Sequence, residues 1–259
     1  MSENTLEISK EYSFSNSISL GWQILKDNYW PLVLSCFVAM VIIGVGGTIA
    51  GLVPFGSAVF GIFVTTPLSV GLWWWIVLAS RGEKPTVNKI FSVFSDKYLT
   101  VVGISFVIVI IFYALMFGAI FVGGLIAGVS ILAILTASEQ ASAGDFESIA
   151  LGALLVPVIF ATIIGTLLGL FSYARLAWAP LIAMDPEEKA TNFGECMGRS
   201  WNMTAGNWFS IFFLFVFLSI VMFVSFLLLC VGLFFLGIPL YVAAAASAYI
   251  LLSANDDVE

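Results

Sequence analysis

The stretch from Asn28 to Ser80 reads NYWPLVLSCFVAMVIIGVGGTIAGLVPFGSAVFGIFVTTPLSVGLWWWIVLAS and contains no charged residue. A helix rises about 1.5 Å per residue, and the hydrocarbon core of a bilayer is about 30 Å thick. The stretch is therefore long enough to cross a membrane twice. Gly51-Leu-Val-Pro54-Phe-Gly56 interrupts it near the middle, and Gly and Pro punctuate helices. The expectation is a transmembrane hairpin over about 31–53 and 58–80.

The rest of the chain repeats this logic. Tyr98 to Ser138, Ser148 to Ala174 and Thr204 to Asn255 are also free of charge. The last divides around Cys230–Gly237 into spans at about 208–230 and 234–254. The two middle stretches supply one span each, at about 99–124 and 150–175. The fold class is thus all-α integral membrane, with six transmembrane helices. Composition agrees: of 259 residues 61% are hydrophobic and 10% charged, where a soluble domain has about 45–50% apolar and 25% charged residues. We read 1–13 as a flexible N-terminal tail, 14–254 as a single membrane domain and 255–259 as an acidic tail. The first thirty residues are polar and carry Glu3, Glu7, Glu11 and Asp27, which does not fit the basic start and early apolar core of a signal peptide.

Orientation follows from Lys and Arg. Lys10 and Lys26 precede the first span. Arg81, Lys84, Lys89 and Lys97 join the second to the third. Arg175, Lys189 and Arg199 join the fourth to the fifth. Those are all 9 basic residues of the chain. An even number of spans places them on one side with both termini. The expectation is a cytoplasmic (inner) membrane, with both termini cytoplasmic. The other side shows only Glu139, Asp145 and Glu147. Acids still outnumber bases on the basic-bearing side, so it is neither a polybasic lipid anchor nor a nucleic-acid surface.

Three segments enter the membrane from that side with a shared pattern. They are Ile18-Ser-Leu-Gly-Trp22-Gln-Ile-Leu25-Lys-Asp-Asn-Tyr29, Val87-Asn-Lys-Ile-Phe91-Ser-Val-Phe94-Ser-Asp-Lys-Tyr98 and Met197-Gly-Arg-Ser-Trp201-Asn-Met-Thr204-Ala-Gly-Asn-Trp208. In each, an apolar residue is followed four later by Trp or Phe, and seven later again by Tyr or Trp. Offsets of four and seven share one helical face. Each segment therefore reads as an amphipathic interfacial helix, apolar side toward lipid or the bundle, closed by a ring suited to the headgroup level. The chain becomes three pseudo-repeats of interfacial helix plus transmembrane hairpin, about 14–80, 85–175 and 186–254, in pseudo-threefold arrangement. The middle one is longer, and its excess falls at about 125–149.

Several residues invite closer reading. Asp185-Pro-Glu-Glu188 reads as a helix start, with Asp185 as N-cap; the sharper alternative is a three-carboxylate metal site. Gly82 suits a helix C-terminus and Pro85 the start of the next helix. Arg175 is the one charge between Leu151 and Met184. It either snorkels at the interface or lies buried with a partner, and Pro180 disfavours an unbroken helix beyond it. Pro67, Pro157 and Pro239 are candidate kinks. Gly44, Gly47 and Gly51, and Gly165 with Gly169, offer close helix packing. Trp73-Trp74-Trp75 spans most of a helix circumference, so one ring at least is expected to face lipid.

The chain has no histidine, and its cysteines, Cys36, Cys196 and Cys230, lie far apart. No phosphate loop, Gly-x-Ser-x-Gly or paired acid at membrane depth is present. We assign no residue to catalysis, to a cofactor or to a metal. Trp22, Tyr29, Phe91, Tyr98, Arg175, Trp201 and Trp208 are the candidate contacts to lipid or to a partner.

Arg175-Leu-Ala-Trp-Ala-Pro180-Leu-Ile-Ala-Met-Asp185 with Gly198-Arg-Ser-Trp-Asn-Met-Thr-Ala-Gly-Asn-Trp208, and Leu25-Lys-Asp-Asn-Tyr-Trp-Pro31, resemble motifs of uncharacterised prokaryotic multi-pass membrane proteins. Those proteins are similar to the membrane domain of some glycerophosphodiester phosphodiesterases. The resemblance implies a six-helix membrane domain without an assigned activity. The catalytic His and clustered acids of the fused enzymes have no counterpart in these residues, so that activity does not carry over. The expected function is a non-enzymatic accessory or scaffold protein, in contact with membrane lipids and a membrane-protein partner or a homo-oligomer, not with nucleic acid. The alternative is a transporter or channel for a small or lipidic solute. A third is an interfacial enzyme built on Arg175 and the Asp185 cluster.

Overall fold

A computed structural model describes residues 12–95, 97–137, 143–188, 190, 192–227 and 232–256. Among them every regular element is helical. In chain order these are α1 (Phe14–Asp27), α2 (Tyr29–Ala50), α3 (Gly56–Phe60), a π-helical turn (Gly61–Thr65), α4 (Thr66–Ser80), a 3-10 segment (Val87–Phe94), α5 (Tyr98–Ala137), α6 (Ala143–Leu176), α7 (Ala179–Met184), α8 (Phe193–Met203), α9 (Trp208–Leu227), a second π-helical turn (Leu233–Gly237) and α10 (Ile238–Asp256). Six helical stretches are long and apolar enough to cross a membrane: Tyr29–Ala50, Gly56–Ser80, Tyr98–Ile134, Leu151–Met184, Trp208–Leu227 and Leu233–Ala254. Residues 1–11, 96, 138–142, 189, 191, 228–231 and 257–259 lie outside the described residues, and with them most of the expected N-terminal tail, the expected turn at Cys230 and most of the acidic tail.

The chain forms two compact units, Met1–Phe106 with Ala174–Glu259, and Val107–Tyr173. In the first, burial concentrates on the second and sixth spans, 61% and 72% buried, against 28% and 22% for the first and fifth. The core is built from Leu68 to Leu78 on α4, Leu176 to Ala183 around α7, and Val242 to Leu252 on α10. Ala243 to Ala246 are all fully buried; four consecutive small residues let neighbours approach α10 from every side. Larger groups fill the remaining space: Trp75, Trp178, Leu181 and Tyr249. All of Trp73, Trp74 and Trp75 are buried, so the ring expected to face lipid does not. The triplet lies where α4 is covered on several sides, by the 3-10 segment, α7 and α10.

The segments that precede the first, third and fifth spans pack on the sixth, second and fourth. α1 starts at the cap Ser13, whose Oγ accepts the Asn16 N–H at 3.1 Å. Its Gly21 sits against α10, where a Cβ would come within 2.7 Å of the Ala244 Cα. The segment after α4 is not an α-helix as expected but a 3-10 segment of eight residues. It lies against α4 so closely that a Cβ on Gly71 would overlap the Ile90 carbonyl. The chain between the two elements turns at Gly82. There Gly82 takes φ +83°, and the Glu83 N–H reaches back to the Leu78 carbonyl at 3.1 Å, a Schellman ending that favours glycine. α8 packs on α7, and its cap is Asn192, in a capping box with Glu195. The N-cap expected at Asp185 is therefore displaced to Asn192; residues 186–188 form a turn instead.

The second unit is an antiparallel pair made by the distal parts of α5 and α6. Gly165 faces Ala119 and Met116, Gly169 faces Phe112, and Gly123 faces Ala161 and the Pro157 carbonyl. Gly165 and Gly169 thus serve close packing as expected. Gly44 and Gly47 do not: a Cβ on either meets nothing within 4 Å, whereas Gly46 faces Phe60. The excess at 125–149 is helix at 125–137 and 143–149. α5 has 40 residues, about 60 Å at 1.5 Å each.

Candidate functional site

Helices α4 and α10 of the first unit and the residues that follow α7 meet at a buried ion pair. Arg81, at the C-cap of α4, places Nη2 2.7 Å from Asp185 Oδ2 and 3.0 Å from Glu187 Oε2. Tyr249 of α10 donates its hydroxyl to the same Asp185 oxygen at 3.0 Å. Asp185 Oδ1 accepts the Glu187 N–H at 3.1 Å. The Asp185 side chain is only 3% exposed and Arg81 28%. Burial pulls the guanidinium pKa down, but the hydrogen bond and charge of Asp185, with Glu187, outweigh it, so Arg81 stays charged. The indole of Trp74 lies 5.5 Å from the guanidinium carbon. Three helices distant in sequence are tied at one carboxylate, and both of its oxygens are taken.

Arg175 makes a second lock. Its Nη2 donates to the Trp201 carbonyl at 2.7 Å, and its Nε to Thr204 Oγ1 at 3.3 Å. The Trp201 ring covers the guanidinium carbon at 3.8 Å, a cation–π contact. The Ser200 hydroxyl donates back to the Arg175 carbonyl at 2.7 Å. The arginine therefore satisfies one carbonyl in the last turn of α8, that of Trp201, a favourable place for a cation. It is half-buried with protein partners, between the two placements read from sequence. Arg199 pairs with Glu188 at 3.2 Å, closing the turn that precedes α8.

Two of the closing aromatics have a role that spacing did not reveal. Pro67 and Pro239 lack an N–H, which frees the carbonyl four residues earlier. Those carbonyls belong to Phe63 and Phe235, each inside a π-helical turn. The Tyr98 hydroxyl donates to the Phe63 carbonyl at 2.9 Å, and the Tyr29 hydroxyl to the Phe235 carbonyl at 3.1 Å. Each tyrosine fills a gap that a proline opened on another span. The signal was in the sequence as two prolines early in the second and sixth spans, but the donor could not be named without the pairing of spans.

The remaining candidates stay at the surface. Trp22, Phe91, Trp201 and Trp208 are each partly exposed. Lys26 lies over the Trp22 ring at 5.3 Å, Phe94 stacks on Tyr98 at 5.5 Å, and Trp208 meets Phe209 edge-on at 5.0 Å. The seven residues do not converge on one pocket; they divide into Arg175 with Trp201, Phe91 near Tyr98, and separate sites. Sequence reasoning missed Arg81, Asp185 and Tyr249 as a set, because Arg81 and Asp185 stand 104 positions apart. No family model, curated protein or solved structure matches this chain.

Proposed function

We propose that this chain is a non-enzymatic membrane scaffold that holds an apolar helix of another membrane protein against the hairpin Val107–Tyr173. One observation carries the reading: the third and fourth spans, Tyr98–Ile134 and Leu151–Met184, are each only 11% buried. α5 stays apolar for longer than a core of about 30 Å requires. Phe117, Phe121, Ile126, Val129 and Leu132 are exposed along it. Apolar surface of that extent, reaching past what lipid covers, marks an interaction site. The fully buried Trp75, Trp178, Leu181 and Tyr249 support a rigid anchor in the first unit rather than an aqueous path. Arg175 and Asp185 are engaged by protein groups, which weighs against an interfacial enzyme.

The pseudo-repeat belongs to the same proposal. α1 lies on α10, the 3-10 segment on α4 and α8 on α7. Each entering segment thus covers the inward helix of the preceding repeat, and the first covers that of the last. The paired Tyr29–Phe235 and Tyr98–Phe63 bonds follow the same rule. The orientation proposed is both termini in the cytoplasm of a cell with an inner membrane, supported by the one-sided distribution of the 9 Lys and Arg residues. The two π-helical turns beside prolines favour the transport alternative, since such turns recur at moving parts, but both are held by tyrosine hydroxyls.

The test is a photo-crosslinking amino acid at Phe121 or Val129, activated in the host membrane. A discrete adduct with one other protein is expected. Adducts with lipid alone would remove the scaffold reading, and self-adducts would replace it with a homo-oligomer.

A further inference from the structure

Independent of the hairpin, a groove of about 710 Å³ opens between the end of α1, the start of α2 and the chain after α4. Its walls include Asp27, Trp30, Leu34, Lys84 and Pro85. From this groove we propose a binding site for a single zwitterionic glycerophospholipid whose headgroup carries an amine, as in phosphatidylethanolamine.

The lining supplies one group for each part of such a molecule. Lys84 is exposed and, among the described residues, forms no ion pair, as does Asp27. A base and an acid share one groove without neutralising each other. A headgroup with a phosphate and an ammonium two carbons apart satisfies both, Lys84 on the phosphate and Asp27 on the ammonium. Trp30 is 70% exposed and stands at the start of a span, where an indole sits at headgroup level. It is held edge-on to Tyr29 at 5.4 Å, and Tyr29 is itself tied to the Phe235 carbonyl. Leu34, four residues deeper, lies on the same face of α2 and is exposed, so an acyl chain can run down from the headgroup. Pro85 is buried and forms a rigid wall.

Charge selects among lipids. The groove carries one positive and one negative side chain, and the chain as a whole is −7. An anionic headgroup would meet Lys84 but also Asp27 and the acidic surroundings. A zwitterion meets no repulsion.

The experiment is native mass spectrometry of the full chain in detergent, offered equal amounts of phosphatidylethanolamine and phosphatidylglycerol with matched palmitoyl-oleoyl chains. One bound phosphatidylethanolamine is expected, favoured about threefold over phosphatidylglycerol, the size of one exposed charge pair. D27N should abolish the preference while leaving phosphatidylglycerol bound. K84Q should lower both adducts. Both positions are exposed and unpaired, so neither change threatens the fold. Equal binding of the two lipids by the unaltered chain overturns the proposal. So does an unchanged preference in both variants, which would place the lipid elsewhere. Displacement of the lipid by soluble glycerophosphoethanolamine at similar concentration would overturn the lipid as occupant, since the acyl chain would then contribute nothing.

Discussion

At the scale of residues, the bonds that define this protein are few and long-range. Tyr98 and Tyr29 each donate to a carbonyl that a proline released. Tyr98 and Phe63 meet at an exposed position, so Y98F should cost the net worth of one hydrogen bond, about 0.5–1.5 kcal/mol, read from unfolding in detergent. In a P67A background the helix regains its own N–H, and the same Tyr98 change should cost less; equal costs in both backgrounds would remove the link between the two residues. The Arg81–Asp185 pair makes a second prediction. D185A leaves Arg81 with only the exposed Glu187, and removing one partner of a buried pair costs about 3–5 kcal/mol, less here because Arg81 is partly solvated. A loss near 2 kcal/mol in detergent is expected on that ground; no loss would mean that the pair holds nothing together. Cys196 makes a third. It is buried, and burial pushes its thiol pKa up, with Lys97 opposing and Glu195 and Glu188 adding to the rise. The thiolate, the reactive form, is favoured only above the raised pKa. Alkylation of Cys196 should therefore stay slow through neutral pH and accelerate only on unfolding or at strongly alkaline pH.

At the scale of elements, spans were readable because length and lack of charge decide them. The hairpin 31–53 and 58–80 was expected, and the structure has helices at Tyr29–Ala50 and Gly56–Ser80. What each helix touches was not readable. Trp73–Trp75 and Gly44 were misjudged for the same reason: an apolar residue costs nothing against either lipid or protein, so periodicity does not say which it meets. The entering segments show the other side of this. Their amphipathic spacing was visible, but whether the second would be an α-helix or a tighter 3-10 turn depended on the fit of Ile90 over Gly71. That fit is testable. G71A forces a methyl onto the Ile90 carbonyl and should cost about 1–3 kcal/mol as overpacking, with protease cleavage appearing first near 87–94. G44A, which meets open space, should be tolerated.

At the scale of the whole molecule, the distribution of Lys and Arg predicts one topology. In a cysteine-free background, S57C should react with a membrane-impermeant maleimide added outside intact cells, and S95C only after the membrane is opened. The reverse pattern would invert the proposed orientation. The candidate site was only partly legible. Arg175, Trp201, Tyr29 and Tyr98 were singled out from sequence and do make specific contacts, yet their partners Thr204, Phe235 and Phe63 were not foreseen. By itself the sequence determined that six helices are long and apolar enough to cross a membrane, and about where they lie. The reason is that the energy of placing a helix in lipid is a sum over its own residues. Tertiary structure alone decided which spans form a core, which carbonyls the tyrosines close, and that Arg81, Asp185 and Tyr249 meet. Those depend on shape and hydrogen bonding between segments far apart in the chain, where lipid and protein are equally apolar and hydrophobicity no longer discriminates.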